Sequence, residues 1–118
     1  MIANGDCTVY RPLKEGGYLR VELRQVNWQQ EEGSVVSQGR RPSSYLRDQT
    51  RVFVPFDRCP QGFRPRTGDL FLRGVCPIPG DRARRETLLG WQEGRFSVSV
   101  IRRLDNGPEA FRHWEAVG

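Results

Sequence analysis

Few residues of this chain have the type and spacing that chemistry needs. Cys7, Cys59 and Cys76 are an odd number of cysteines at wide intervals. They lack the close pairing of a zinc site, and His113 is the only histidine that could join them. A reducing compartment would keep them as thiols, small apolar residues near strand ends. General acid–base work needs paired carboxylates or a histidine in a concave setting. Here 14 acids are scattered among 19 basic residues. His113 precedes Trp114 in a terminal strand, where a packed or hydrogen-bonded side chain is expected. No serine sits in a nucleophile elbow. Gly33, Gly39, Gly62 and Gly68 are isolated turn glycines, not a loop that cradles phosphate. The expectation is a protein that is not an enzyme, with no catalytic residue, metal or cofactor.

Binding is the other chemistry to consider. The formal net charge is +5, and every basic residue except Lys14 is arginine. Arginine suits phosphate contacts, yet only Arg40-Arg41, Arg82-Ala83-Arg84-Arg85 and Arg102-Arg103 are clustered, and no block is as long as a basic arm. A codon bias for arginine accounts for the excess equally well, so a solvated surface is expected ahead of a dedicated nucleic-acid face. The stretch from Gln38 to Gln49, QGRRPSSYLRDQ, reads as a mobile loop at about 38–50. Arg40, Arg41, Tyr45 and Arg47 are its candidate interaction residues, with Tyr45 as an apolar tack. A solvated linker has the same composition.

The elements that must position these residues follow from composition and pattern. At 118 residues, with 13 Gly and 8 Pro, the chain reads as one β domain over residues 1–118 with frequent turns. No segment approaches the ~20 apolar residues of a membrane span. The N-terminus has no basic n-region or apolar core, so no signal peptide is expected. Two runs organise the chain: Val52-Phe53-Val54, stopped by Pro55, and Leu70-Phe71-Leu72, introduced by Thr67-Gly68-Asp69 and closed by Gly74. Both are apolar throughout, which predicts strands covered on both faces. Before them, Cys7–Tyr10 and a return strand from Leu19 flank a Lys14–Gly17 hairpin. Leu19, Val21 and Leu23 alternate, and the phase then slips to Val26 and Trp28, as a β-bulge would make it do. Ser34–Ser37 reads as a weak strand. Asp81 is a credible N-cap for a short helix over 82–89, with Leu88, Leu89 and Trp91 packing it on the sheet. Arg95–Leu104 and the segment from Phe111 to Gly118 complete the set. The fold class is mainly β: a small barrel of six or seven short antiparallel strands with one short helix. Trp28, Phe53, Phe71 and Trp114 are the expected core anchors, with Phe96 beside them.

One resemblance spans nearly the whole chain. Thr8-Val9-Tyr10, Val26-Asn27-Trp28, Arg51-Val52-Phe53-Val54-Pro55-Phe56, Gly68-Asp69 to Gly74, Ser97–Val100 and His113-Trp114-Glu115-Ala116-Val117 occur in the order found in a small family encoded in tailed-phage and prophage morphogenesis modules. That family's pieces read "TVTLYN", "GVxW", "VFIPF", "GD…KG" and "HWEV". The most specific pieces here are VFVPF and the terminal HWEA, with Ala116 where the family usually has Val. The resemblance implies a head–tail joining protein of the head-completion or stopper kind, a β-barrel assembled as a ring around the DNA channel. Its implied partners are copies of itself and other head–tail junction proteins, with transient, non-specific contact with packaged DNA and no membrane. Its implied location is the virion, after the host cytoplasm. The resemblance brings no catalytic residues.

Alternatives come from other classes. One is an OB-type nucleic-acid-binding barrel, which would stack bases on exposed aromatics in a basic groove. Here the aromatics are expected in the core. Others are a different phage tail or neck subunit, and a barrel adaptor of a secretion or contractile apparatus.

Overall fold

The computed structural model of the chain describes residues 2–31, 49–105, 107 and 112–118. Seven antiparallel strands are joined in the order β5-β4-β1-β2-β3-β7-β6. They are β1 (Gly5–Pro12), β2 (Tyr18–Glu31), β3 (Gln49–Pro55), β4 (Leu70–Arg73), β5 (Arg95–Ser97), β6 (Val100–Leu104) and β7 (His113–Val117). The sheet curls into a half-barrel, mainly β, with one short helix among the described residues, α1 (Arg85–Leu89), besides two single 3-10 turns. The expected weak strand Ser34–Ser37, and the loop at about 38–50 as far as residue 48, lie outside the described residues; Gln49 and Thr50 belong to β3.

Two segments bend the sheet. β2 pairs with β1 over its first part and with β3 over its last, and a bulge lies between. Gly5 faces Val26 while Cys7 faces Leu23, so two residue steps of β1 oppose three of β2. Gln25 takes up the extra residue with φ 56, a left-handed conformation costly to a side chain. The Asp6 carboxylate braces the bulge, accepting from Gln25 N–H at 3.0 Å and Arg24 Nη1 at 3.2 Å. Leu23 before the bulge and Val26 and Trp28 after it are therefore all buried, as the phase slip requires.

The second bend corrects an expectation. Arg95–Leu104 is two strands, because the chain leaves β4 and joins β7 at Val98-Ser99. Val98 bonds to the backbone of Gly68 and Asp69, and Ser99 N–H donates to the Val117 carbonyl at 2.8 Å. The facing pattern slips there: Phe96 and Val98 point into the core, but Val100 is 44% exposed.

Two apolar clusters follow. Inside the curl lie Cys7, Val9, Leu23, Val26, Trp28, Val52, Val54, Phe71, Phe96, Val98 and Ala116. Trp28 and Phe71 each meet the Phe96 ring, at 5.4 and 5.3 Å between centroids. Outside it, a strap from Cys76 to Trp91 covers Tyr10, Leu70 and Leu72. β4 is thus buried on both faces, as its continuous apolar run predicts. β3 is not. It alternates, with Thr50, Val52 and Val54 buried and Arg51, Phe53 and Pro55 half-buried. The strap lies over the β1–β4 side, so the outer face of β3 lacks that cover.

The helix is shorter than expected and Asp81 is not its cap. Gly80–Arg82 forms a 3-10 turn, Ala83 is extended and buried against the sheet, and α1 starts only after Arg84. Docking Ala83 on the outer cluster breaks what would have been one helix. Leu88 is buried and Trp91 half-buried, but Leu89 points outward.

Candidate interaction groove

Among the described residues no three His, Cys, Asp or Glu side chains come together as metal ligands. Cys7 and Cys76 are buried and Cys59 half-buried. Burial, helped by the nearby Asp6 charge, drives the Cys7 thiol far above its ordinary range. Burial, then the Asp57 charge, pushes Cys59 up to about 11. A reactive cysteine needs the opposite shift. The buried acid Asp69 is structural: Arg11 clamps it through Nε at 2.8 Å and Nη2 at 2.9 Å, and Arg66 N–H adds a third bond at 2.8 Å. Sequence reading gave Gly68-Asp69 only a turn role and missed this ion pair, since Arg11 and Asp69 are far apart in the chain.

The outer face of the β2–β3–β7–β6 side is different. In an antiparallel pair, directly opposed residues share a face. The registers place Asn27, Phe53, Glu115 and Arg102 in one row across four strands. Gln29 and Arg51 lie in the row on one side, Pro55, His113 and Leu104 in the row on the other. An open groove of about 510 Å³ runs here, lined among the described residues by Ile2, Asn27, Gln29, Phe53 and His113. The Phe53 and His113 rings meet edge to face, 5.3 Å between centroids and 71° between planes.

The N-terminal segment forms one wall. Asn4 is clamped on β2: its N–H donates to the Val26 carbonyl at 2.9 Å, its side-chain amide donates to the Trp28 carbonyl at 2.9 Å, and its Oδ1 accepts from Trp28 N–H at 2.7 Å. Asn27 Nδ2 donates to the Ile2 carbonyl, which leaves Ile2 itself 82% exposed. Beside Phe53, Glu115 is only 5% exposed, and Arg51 Nη1 is 3.7 Å from its Oε1. That is ion-pair range but beyond a hydrogen bond. Glu115 Oε1, Arg51 Nε and Asn27 Oδ1 are buried with no hydrogen-bond partner among the described residues.

The four expected core anchors therefore divide. Trp28 and Phe71 are buried in the inner cluster. Trp114 is half-buried at its rim, where it meets Phe56 at 5.2 Å and the Arg103 guanidinium at 5.6 Å. Phe53 is not a core residue: it stands on the outer face, because Val52 and Val54 take both inward positions of β3. The alternation of Arg51, Phe53 and Pro55 with Thr50, Val52 and Val54 carried this signal, and the compact Val-Phe-Val run hid it. Arg40, Arg41, Tyr45 and Arg47 lie outside the described residues.

The chain is a curled antiparallel half-barrel, mainly β, with an open groove on one outer face. Residues 2–118 match a family of unknown function, DUF6751, and the chain belongs to it. No curated protein and no solved structure matches the chain.

Proposed function

We propose that this chain is a structural subunit of the head–tail connector of a tailed phage or prophage, of the stopper or head-completion kind. It acts in the neck of the virion, as one of several copies in a ring around the DNA channel, between other junction proteins. One observation carries the reading. VFVPF and HWEA, the two most specific pieces of the resemblance, are far apart in the chain yet are paired neighbours, with Val54 opposite Trp114 and Pro55 opposite His113. These two motifs thus form neighbouring strands of one sheet. A ring needs a heterologous interface, in which one patch meets a different patch of the next copy. Templated by a preceding ring, such a subunit stays monomeric or weakly associated alone. Light scattering across a dilution series tests this: a mass near one chain that rises only at high concentration is expected, and a tight, concentration-independent dimer refutes it.

A second reading, an OB-type binder of single strands, is favoured by the place of Phe53 on the outer face rather than in the core. Submicromolar single-strand affinity that survives physiological salt would replace the connector reading with this one.

A further inference from the structure

The groove around Phe53 has a composition that a bare structural surface does not require. It brings together an aromatic pair, Phe53 and His113, and two side-chain amides, Asn27 and Gln29. Arg51 and Arg102 stand on the same outer face, Arg51 next to Gln29 in register and Arg102 in the Phe53 row. Rings supply a stacking face, amides can donate and accept at the edge of a planar ligand, and guanidinium groups meet phosphates. In the Phe53 row the acid is Glu115, and Arg51 stands in ion-pair range of it. Arg102 stands exposed in the Phe53 row, and its guanidinium suits an anionic ligand. The chain as a whole, at +5, is also positive.

We infer that this groove seats a base of a single-stranded nucleic acid. Phe53 and His113 offer the stacking surface, the exposed Gln29 amide meets the base edge, and the exposed Arg102 meets a flanking phosphate. The inference goes beyond the connector reading and does not rest on it. Weak binding here is compatible with a neck protein, whereas tight binding would displace that reading.

The test is a titration of labelled single-stranded homopolymers by fluorescence anisotropy at low and physiological salt. It uses the full chain and its Phe53→Ala, Phe53→Trp, Gln29→Ala and Arg82→Ala variants. Measurable binding by the parent chain is expected. Phe53→Ala should weaken it about tenfold, in line with the loss of one stacked base, and Phe53→Trp should keep it. Because Phe53 lies outside the inner cluster, its truncation leaves that core intact, and circular dichroism checks that it does. Arg82 lies on the strap over the opposite side of the sheet, so Arg82→Ala should lower affinity no more than a general charge loss does. No binding by the parent, equal affinity in Phe53→Ala, or a failure of Phe53→Trp to retain binding overturns the inference. It is also overturned if Phe53→Ala leaves nucleic-acid binding unchanged but lowers the mass of the chain at high concentration. The groove would then be a contact between copies.

Discussion

Asp69 carries the largest single-residue consequence for stability. Its carboxylate is 1% exposed and takes three donors from Arg11 and Arg66, while Arg11 also reaches the Arg64 carbonyl at 2.7 Å and stacks over Phe63 at 4.9 Å. Removing one partner of a buried pair strands the other, a loss of about 3–5 kcal/mol. Asp69→Ala should lose that much in urea unfolding, and a loss under ~1 kcal/mol would contradict the geometry. A pH effect has its origin at the same scale. Burial, then the hydrogen bond to the Cys76 carbonyl, pushes the Tyr10 phenol up to about 12, and burial pushes Cys59 up to about 11. Both groups are favoured neutral in the folded chain. Their contribution is fully present below the unfolded values, near 9 for the thiol and 10 for the phenol, and is lost as pH rises through the folded ones. Above those unfolded values the unfolded chain holds fewer protons, so stability falls with pH. Urea midpoints should be insensitive to these two groups up to about pH 9 and decline above it. Tyr10→Phe should flatten part of that decline, and an unchanged slope in this variant would remove Tyr10 from the account.

Among the elements, β2 and the strap decide the shape. The bulge lets one long strand serve both sides of the curl, and it holds Gln25 at φ 56. A left-handed position costs a side chain about 1–2 kcal/mol, part of which glycine recovers and part of which it gives back as chain entropy. Gln25→Gly should therefore be stabilising by about 0.5 kcal/mol, and Gln25→Val, branched at Cβ, should destabilise. A thermal melt of both variants reads the difference in sign; two losses of equal size would argue against the bulge geometry. The strap depends on polar anchors as well as on Leu88. Tyr10 Oη donates to the Ile78 carbonyl at 2.7 Å, and Arg20 Nε to the Cys76 carbonyl at 2.9 Å. Thr8 Oγ1 accepts from Cys76 N–H at 2.9 Å. These bonds explain how a loop rich in proline and glycine stays on the sheet.

For the whole molecule, charge sets the behaviour toward DNA. The arginines are spread over the strap, the edge strand and the segment after β3, rather than gathered in a single channel-like stripe among the described residues. The expectation for duplex DNA is then binding by counterion release alone. Such binding should be weak, independent of sequence and steeply salt-dependent. Anisotropy with two unrelated duplexes at two salt concentrations checks this, and a sequence preference of more than about tenfold would show base readout instead. The half-barrel also leaves β6 at one end of the strand order, with Val100 and Leu104 partly exposed and Arg102 between them. Charged residues on such an edge discourage uncontrolled strand addition. The expected result is a chain that stays near one copy in dilute solution.

The strands were legible in the sequence because each is a local pattern. The phase slip after Leu23, the hairpin at Lys14–Gly17 and the stop at Pro55 depend only on side-chain alternation, backbone freedom and the missing N–H of proline. The mainly β class with one short helix followed from the same signals. What the local pattern could not decide was which apolar run would receive a second cover. Val52-Phe53-Val54 and Leu70-Phe71-Leu72 look alike as strings, yet only the second lies beneath the strap. That difference puts Phe53 on the surface beside His113 and Asn27, residues brought together from three strands by sheet register. Likewise Ala83 ends the expected helix early because it is held against the sheet, and Arg95–Leu104 splits because its two halves find different neighbours. A residue's own pattern tells which faces it can offer; what lies against each face depends on segments distant in the chain, and only the folded chain brings those together.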